Sequence, residues 1–239
     1  MNFFDAGILH FLNGFAHHSW TFDFWVHWLT ADDFQKGGPV ALLLWWAWFL
    51  PSERQEENRQ KLICVAFSAV AAVLVSRLSS EVLPFRARPL HLSALHLQLP
   101  YTVSVTELVH WNSFPSDHAA LFYALVTGLF LVNRRIGIIA FLYVTLFISI
   151  PRMYLGFHYP TDIIAGGLLG GSVTWLACHP VVRGKLAPPI LKLTASSPSL
   201  FYACCFFYTY QLACSFSWVN KTLSTTLHIT SGVMTKLHL

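Results

Sequence analysis

Charge is what this chain has least of. Asp, Glu, Lys and Arg make up 11% of its 239 residues, against roughly 25% in an average soluble domain. Fifteen basic and eleven acidic side chains cannot cover the surface of a soluble globule of this length. Cysteine is scarce too. Five residues, Cys64, Cys178, Cys204, Cys205 and Cys214, exclude a disulfide scaffold, and the absence of a C-x-x-C pair argues against zinc. Each lies in or beside an apolar run, where cysteine reads as a small buried hydrophobe. The net charge of +4 comes without a basic stripe, which excludes a nucleic-acid partner. No positive side chain precedes Lys36, so no signal peptide is expected.

What is abundant is apolar and aromatic. Hydrophobic residues are 55% of the chain, with nine Trp, eight Tyr and twenty Phe, which excludes disorder. The pattern predicts an all-α, polytopic transmembrane helical bundle of about six spans. Residues 1–34 are aromatic and amphipathic, with Asp5 and Asp23 breaking the apolar runs, and suit an interfacial helix or two short ones. The candidate spans are Gly37–Leu50, Leu62–Leu78, Phe114–Val132, Ile136–Ile150 (extending to about Tyr154), Ile163–Ala177 and about Leu200–Trp218. Gly166, Gly167, Gly170 and Gly171 give small-xxx-small spacing twice in the fifth run, which predicts close helix packing.

Basic residues orient the bundle. With the first span running inward, the inner loops hold Arg54, Arg59, Lys61, Arg134, Arg135, Arg183, Lys185 and Lys192. The outer segments hold fewer: Lys36, Arg77, Arg86, Arg88 and Arg152. After Trp218 the chain is rich in Thr, Ser and Leu. Asn220-Lys221-Thr222 there fits a glycosylation acceptor, and a frayed outer terminus is expected.

Three polar clusters fall at ends of the spans, and the alternation of spans puts all of them on one face. They are Arg86-Ala87-Arg88-Pro89, Pro115-Ser116-Asp117-His118, and Arg152 with His158 and Asp162. Ionisable groups at such depth are costly and mark function. These residue types suit an anion. Arginine forks match phosphate oxygens, and Ser116 with the N–H groups of a helix start adds neutral donors. Two histidines can move protons near neutral pH. His158 and Asp162 stand four apart, so the carboxylate can reach one ring nitrogen and leave the other free to attack. Each cluster alone also has a plainer reading: headgroup charges for Arg86 and Arg88, a helix cap for Ser116-Asp117, a buried hydrogen-bonded His118, a capping pair for His158 and Asp162. A metal held by His118, His158, Asp117 and Asp162 is the other functional reading, and the flanking arginines would repel a dication.

Taken together, the three stretches resemble the type 2 phosphatidic acid phosphatase (PAP2) superfamily, which includes lipid phosphate phosphatases and vanadium haloperoxidases. That family carries K-x6-R-P, P-S-G-H and S-R-x5-H-x3-D. This chain reads E-x6-R-P from Glu81 to Pro89, PSDH at 115–118, and PR-x5-H-x3-D from Pro151 to Asp162. Asp117 in place of glycine is similar to the bacterial undecaprenyl-diphosphate phosphatase-like branch. The resemblance implies a PAP2-like transmembrane catalytic domain over residues 35–178, behind the interfacial segment 1–34 and ahead of a C-terminal span and tail, 179–239. It implies His158 as a nucleophile forming a phosphohistidine, Asp162 orienting it, and His118 as the general acid. Arg88, Ser116 and Arg152 would hold the phosphoryl oxygens, with the backbone near Asp117 contributing. No metal and no cofactor are implied.

Two further departures leave questions for the structure. Glu81 stands where the family has lysine, and a carboxylate cannot bind phosphate directly. Either Arg86 or Arg77 supplies the missing charge, or Glu81 orients Arg88 by a salt bridge. Pro151 replaces a serine and removes a hydroxyl donor. The function expected from the resemblance is a multi-pass cell-membrane phosphatase with its site on the outer face. Its partner would be a lipid phosphate or diphosphate: polyprenyl diphosphate first, phosphatidic acid or phosphatidylglycerol phosphate next. The alternative is a non-catalytic lipid-phosphate-binding or transporter-like membrane protein. The sequence leaves the oligomeric state undetermined.

Overall fold

The computed structural model describes residues 2–109 and 111–214. The acceptor pattern at Asn220 and the end of the sixth run at Trp218 lie outside these residues. The fold is all-α. Two short helices come first, α1 (Phe3–Asn13) and α2 (Trp20–Ala31), followed by α3 (Asp33–Phe49) and the long α4 (Gln55–Val82). A loop with two short 3-10 turns, Pro89–His91 and Ser93–Leu95, leads to α5 (Asp117–Val132). Next come α6 (Arg134–Val144) and α7 (Ile150–Tyr154), joined by a π turn over Thr145–Ser149. The described chain ends with α8 (Pro160–Ala177), α9 (Pro180–Leu191), α10 (Leu193–Ser196) and α11 (Pro198–Ala213).

The helix starts follow from short polar side chains that accept orphan N–H groups. Asn2 accepts from Asp5 at 2.7 Å, Asp32 from Gln35 at 2.8 Å, and Ser116 from Ala119 at 3.3 Å. At α8, Pro160 opens the first turn, and the Asp162 carboxylate accepts the Tyr159 N–H at 2.8 Å. The π turn has a cause in Pro151. A proline has no N–H to return to the preceding turn, and the wider turn before it absorbs the break without ending the helix.

The core lies between α4, α5 and α8. Val65, Ala69, Ala72, Ala120, Ala124, Leu125 and Leu129 are buried there. Small residues let the backbones approach. A methyl group on Gly166 would collide with the Ser116 carbonyl, and one on Gly170 with the Ala120 carbonyl. The expected small-xxx-small packing is therefore the α5–α8 contact. It matters for function because it seats the first turn of α8 against that of α5.

Helices occupy all six apolar runs, but not as six spans. Among the described residues, Gln55–Val82 and Arg134–Tyr154 are long and apolar enough to cross a membrane. A third follows if α8 and the α9–α10 segment, bent by 73°, count as one span. The expectation of about six is corrected by length. The helices α3 and α5 have 17 and 16 residues, and at about 1.5 Å per residue they fall short of a hydrocarbon layer about 30 Å thick, while the sixth run reaches past the described residues. Residues 1–34 contain two short helices and the start of α3. Cys64 and Cys178 are buried as expected, whereas Cys204 is exposed on α11, where the apolar run turns a face away from the bundle.

The α5–α8 contact makes a direct prediction. Gly170→Val should cost about 2 kcal/mol by overpacking and lower Tm in detergent by about 4–8 °C. Gly184→Ala is the control, since no atom lies within 4 Å of the added methyl. Equal Tm values for the two variants would contradict the packing.

Candidate active site

Four segments meet at one end of the bundle: the loop after α4, the start of α5, the end of α7 and the start of α8. Gly156 makes the last corner possible. Its φ of +72° is open to glycine at no steric cost, and its carbonyl accepts the Leu90 N–H at 3.0 Å. The next residue, Phe157, turns its carbonyl onto Arg88 Nη1 at 2.7 Å. His158 follows, 2% exposed.

The imidazole of His158 has its two nitrogens in different settings. Nδ1 lies 3.0 Å from the Ser113 carbonyl and 3.6 Å from Asp162 Oδ2. Both neighbours accept, so Nδ1 carries the proton and Nε2 keeps its lone pair. Arg88 Nη1 donates toward that lone pair at 3.3 Å. Burial, opposed by Asp162 and reinforced by the Arg88 and Arg152 charges, lowers the His158 pKa below its ordinary 6.5. Burial thus favours the neutral ring, with the lone pair of Nε2 facing a guanidinium.

Asp162 is fully buried and heavily bonded. Its Oδ1 accepts Arg86 Nη1 at 2.6 Å, and its Oδ2 accepts the Ser113 hydroxyl and the Tyr159 N–H. Arg86 is thus turned away from the arginine pair and toward carboxylates. Its Nη2 donates to Asp5 Oδ2 at 2.8 Å, and its guanidinium stacks on Tyr159, 3.9 Å from the ring centroid. Asp5 also accepts the Thr161 N–H at 3.0 Å and the Thr161 hydroxyl at 2.8 Å. The chain Asp5–Arg86–Asp162 ties α1 to the imidazole, so Arg86 does not supply the charge missing at position 81.

Arg88 and Arg152 are the cations of the site, 6% and 7% exposed. Backbone carbonyls hold Arg88: Trp111 at 3.3 Å from Nε, Asn112 at 3.3 Å from Nη2, and Phe157. Burial lowers the Arg88 pKa, and Asp117 and Asp162 act against that, but a guanidinium remains charged. Arg152 Nε has no hydrogen-bond partner among the described residues. Neither arginine has a carboxylate within 4.0 Å among those residues. Two buried guanidiniums without a counter-ion are expensive unless an anion binds them.

His118 stands on α5. Its Nδ1 and its N–H both lie 2.8 Å from Asp117 Oδ1, and Asp117 Oδ2 lies 3.6 Å from Arg77. Asp117 therefore orients His118, a role beyond the backbone contribution expected of that position. Arg77 contacts Asp117 from a half-exposed position. The Ser116 hydroxyl, fully buried, accepts the Ala119 N–H and still has its own proton to donate. Glu81 is exposed at the end of α4, and no ion pair joins it to Arg88 among the described residues. Pro151 is buried beside Arg152. Groups of three or more His, Cys, Asp or Glu placed to hold a metal are absent among the described residues.

Sequence reasoning missed Asp5 and Ser113. Asp5 was legible only as a charge in an apolar stretch. Ser113 had no signal beyond standing three residues before Ser116.

The profile of the PAP2 superfamily matches residues 61–184. The bacitracin transport permease protein of Bacillus licheniformis is 29% identical over 138 residues, 55% of this chain and 58% of that protein. An undecaprenyl-diphosphatase of Bacillus subtilis is 24% identical over 155 residues, 64% of this chain and 72% of that protein. A lipid A 4'-phosphatase of Bacteroides thetaiotaomicron is 41% identical over 64 residues, 26% of this chain and 28% of that protein. The chain thus spans little more than half of the permease and under a third of the lipid A phosphatase.

Two measurements check the geometry. In 15N-histidine NMR, assigned with His158→Gln, His158 should be the Nδ1–H tautomer. The depressed pKa means that the neutral ring survives as pH falls through 6.5 and is protonated only below it. A midpoint above 6.5 would contradict the burial argument. Asp5→Ala should remove about 2 kcal/mol, the scale of a charge-assisted hydrogen bond at a buried carboxylate, read as a lower Tm.

Proposed function

The chain belongs to the PAP2 superfamily, and on that premise we propose that it is a membrane phosphohydrolase acting on a lipid phosphate or diphosphate. Polyprenyl diphosphate is the favoured substrate, in keeping with the undecaprenyl-diphosphatase among its relatives. Phosphatidic acid and phosphatidylglycerol phosphate come next. The observation that carries this reading is a pair of buried guanidiniums without a carboxylate partner among the described residues, Arg88 against the lone pair of His158 Nε2 at 3.3 Å and Arg152 with its Nε unpartnered. A phosphoryl group satisfies all three at once. Its oxygens take the arginine donors, and its phosphorus meets the nitrogen.

The reaction runs in two displacements. His158 Nε2 attacks phosphorus, and the bond to the leaving oxygen breaks as His118 gives that oxygen a proton. Arg88, Arg152 and the Ser116 hydroxyl carry the charge on the three equatorial oxygens. The phosphorylated ring gains positive charge, which the Asp162 carboxylate at 3.6 Å stabilises. Water then attacks phosphorus, His118 takes its proton, the P–N bond breaks, and inorganic phosphate leaves with the Nε2 lone pair restored. Asp117 keeps a proton on His118 Nδ1, so that Nε2 is the nitrogen that gives and takes the proton.

The excess of basic residues in the opposite loops favours a site on the outer face of the membrane. There the lipid tail stays in the bilayer while the headgroup meets the arginines. Residues 1–34 suit the interface, since Phe3, Phe11, Trp20 and Trp25 are exposed. Residues 35–178 would form the catalytic domain, with the shorter helices α3, α5 and α11 packed beside the two long ones.

The test is phosphate release from polyprenyl diphosphate by the purified full-length protein in detergent. His158→Gln should fall by at least a hundredfold while still binding orthovanadate. Glu81→Ala should change the vanadate inhibition constant less than threefold, and Arg88→Ala by more than tenfold. Vanadate binding without turnover in the wild type would favour a non-catalytic lipid-phosphate binder instead.

A further inference from the structure

The end of the bundle away from the active site carries a second cleft, and its spine is one face of α4. Gln55, Glu56 and Arg59 line a polar pocket of about 380 Å³, completed by Lys192 and Thr194. Ile63, Ala66, Val70 and Leu74 continue the same face, three or four residues apart, as one wall of an apolar groove of about 640 Å³. Trp45 and Trp48 of α3 and Phe201 and Tyr208 of α11 form the other walls. Both volumes are in the range of ligand cavities. Arg59 joins the two. Its Nε donates to the Trp48 carbonyl at 3.3 Å, and its guanidinium lies over the Trp48 ring, 5.2 Å from the centroid. Trp48 is 7% exposed, and its Nε1 has no hydrogen-bond partner among the described residues. A buried indole N–H usually has an acceptor.

The polar pocket suits an anion. Neither Arg59 nor Lys192 has a carboxylate within 4.0 Å among the described residues. The nearby Glu57 is taken by Lys61 at 3.1 Å and Arg183 at 3.0 Å. Glu56 lines the pocket, so its walls carry two cations and one anion. The groove suits a hydrocarbon chain. From Leu62 to Leu74 it runs about 18 Å along α4, close to the depth of one leaflet of a hydrocarbon layer about 30 Å thick. Its polar side chains are already engaged. The Thr209 hydroxyl accepts Trp45 Nε1 at 3.1 Å and donates to the Cys205 carbonyl at 2.9 Å, and the Tyr208 hydroxyl donates to the Ala66 carbonyl at 2.9 Å. An extended peptide would leave its backbone unsatisfied there, whereas an acyl chain needs no hydrogen bond. Phe67, Leu74 and Leu200 line the groove and are exposed, which leaves it open to the side.

We propose that this cleft binds an anionic glycerophospholipid of the leaflet opposite the active site, with its phosphate on Arg59 and Lys192 and an acyl chain along the groove. The site is separate from the catalytic one and does not depend on the phosphohydrolase reading. Arg77, near the other end of α4, contacts Asp117 at the active site, and Arg59 lies about 27 Å from Arg77 along the helix. A lipid with its headgroup on Arg59 therefore cannot present that headgroup to His158. It lies between α4 and α11 and joins the last helices to the core.

The test is native mass spectrometry of the full-length protein in detergent, titrated with phosphatidylglycerol and phosphatidylcholine of equal chain length. Wild type should bind phosphatidylglycerol at least fivefold more tightly than phosphatidylcholine. The double variant Arg59→Gln, Lys192→Gln should lose that preference while binding orthovanadate within threefold of wild type. If it does not fold, Lys192→Gln decides: Lys192 is exposed, and its loss should weaken phosphatidylglycerol at least twofold. Ala71→Trp, which fills the groove, should weaken both lipids at least fivefold. Arg88→Gln should leave both within twofold of wild type. Equal binding of the two lipids by wild type overturns the proposal, as does a preference that survives loss of the two cations. Loss of phosphatidylglycerol in Arg88→Gln overturns it by placing the lipid in the catalytic pocket. A lipid-free dimer that Ala71→Trp dissociates overturns it by making the groove an interface between two copies of the chain.

Discussion

The Asp162 carboxylate is where the separate parts of this protein are joined. It caps α8 through the Tyr159 N–H, accepts Ser113 from the loop before α5, and binds Arg86, which in turn binds Asp5 on α1. Its remaining reach is toward the Nδ1 edge of His158. A buried carboxylate is tolerated only when its oxygens are satisfied. That requirement brings four chain segments to one point and leaves the imidazole with one permitted tautomer.

Glycines decide how near those segments come. With Gly166 and Gly170 against the Ser116 and Ala120 carbonyls, α8 rests on the backbone of α5. The Ser116 N–H then donates to the Asp162 carbonyl at 3.2 Å, joining the two helix starts directly. Any larger residue would part the helices and separate the Ser116 end of α5 from the start of α8. Gly156 plays the matching role at the corner before His158, where the left-handed backbone lets Phe157 hold Arg88.

The electrostatic design separates two classes of arginine. Arg86 is neutralised by carboxylates and stacked on an aromatic ring, which makes it a strut. Arg88 and Arg152 are given backbone carbonyls or no acceptor for Nε, so their charge remains directed into the pocket. The same distinction applies to the acids. Asp5 is consumed by structure, Asp162 is shared between structure and His158, Asp117 is engaged by His118, and Glu81 is left outside.

The helical class, the membrane character and the grouping of the three motif stretches were all legible in the residues. Apolar runs and their ends dictate where helices start and stop, and the motif spacing is local chemistry. Ser116 announces the start of α5 because a cap acts on the next turn. The number of spans was not legible. An apolar run shows what a helix avoids, not whether its length matches the bilayer, and α3 and α5 stop short. The strut role of Arg86, and the contributions of Asp5 and Ser113, were decided only by the tertiary structure. Each depends on a partner remote in the sequence: Asp5 lies 81 residues from Arg86, and Ser113 lies 49 from Asp162. Whether a buried charge binds ligand or only its neighbour depends on which carboxylate the fold brings beside it. No local pattern carries that information.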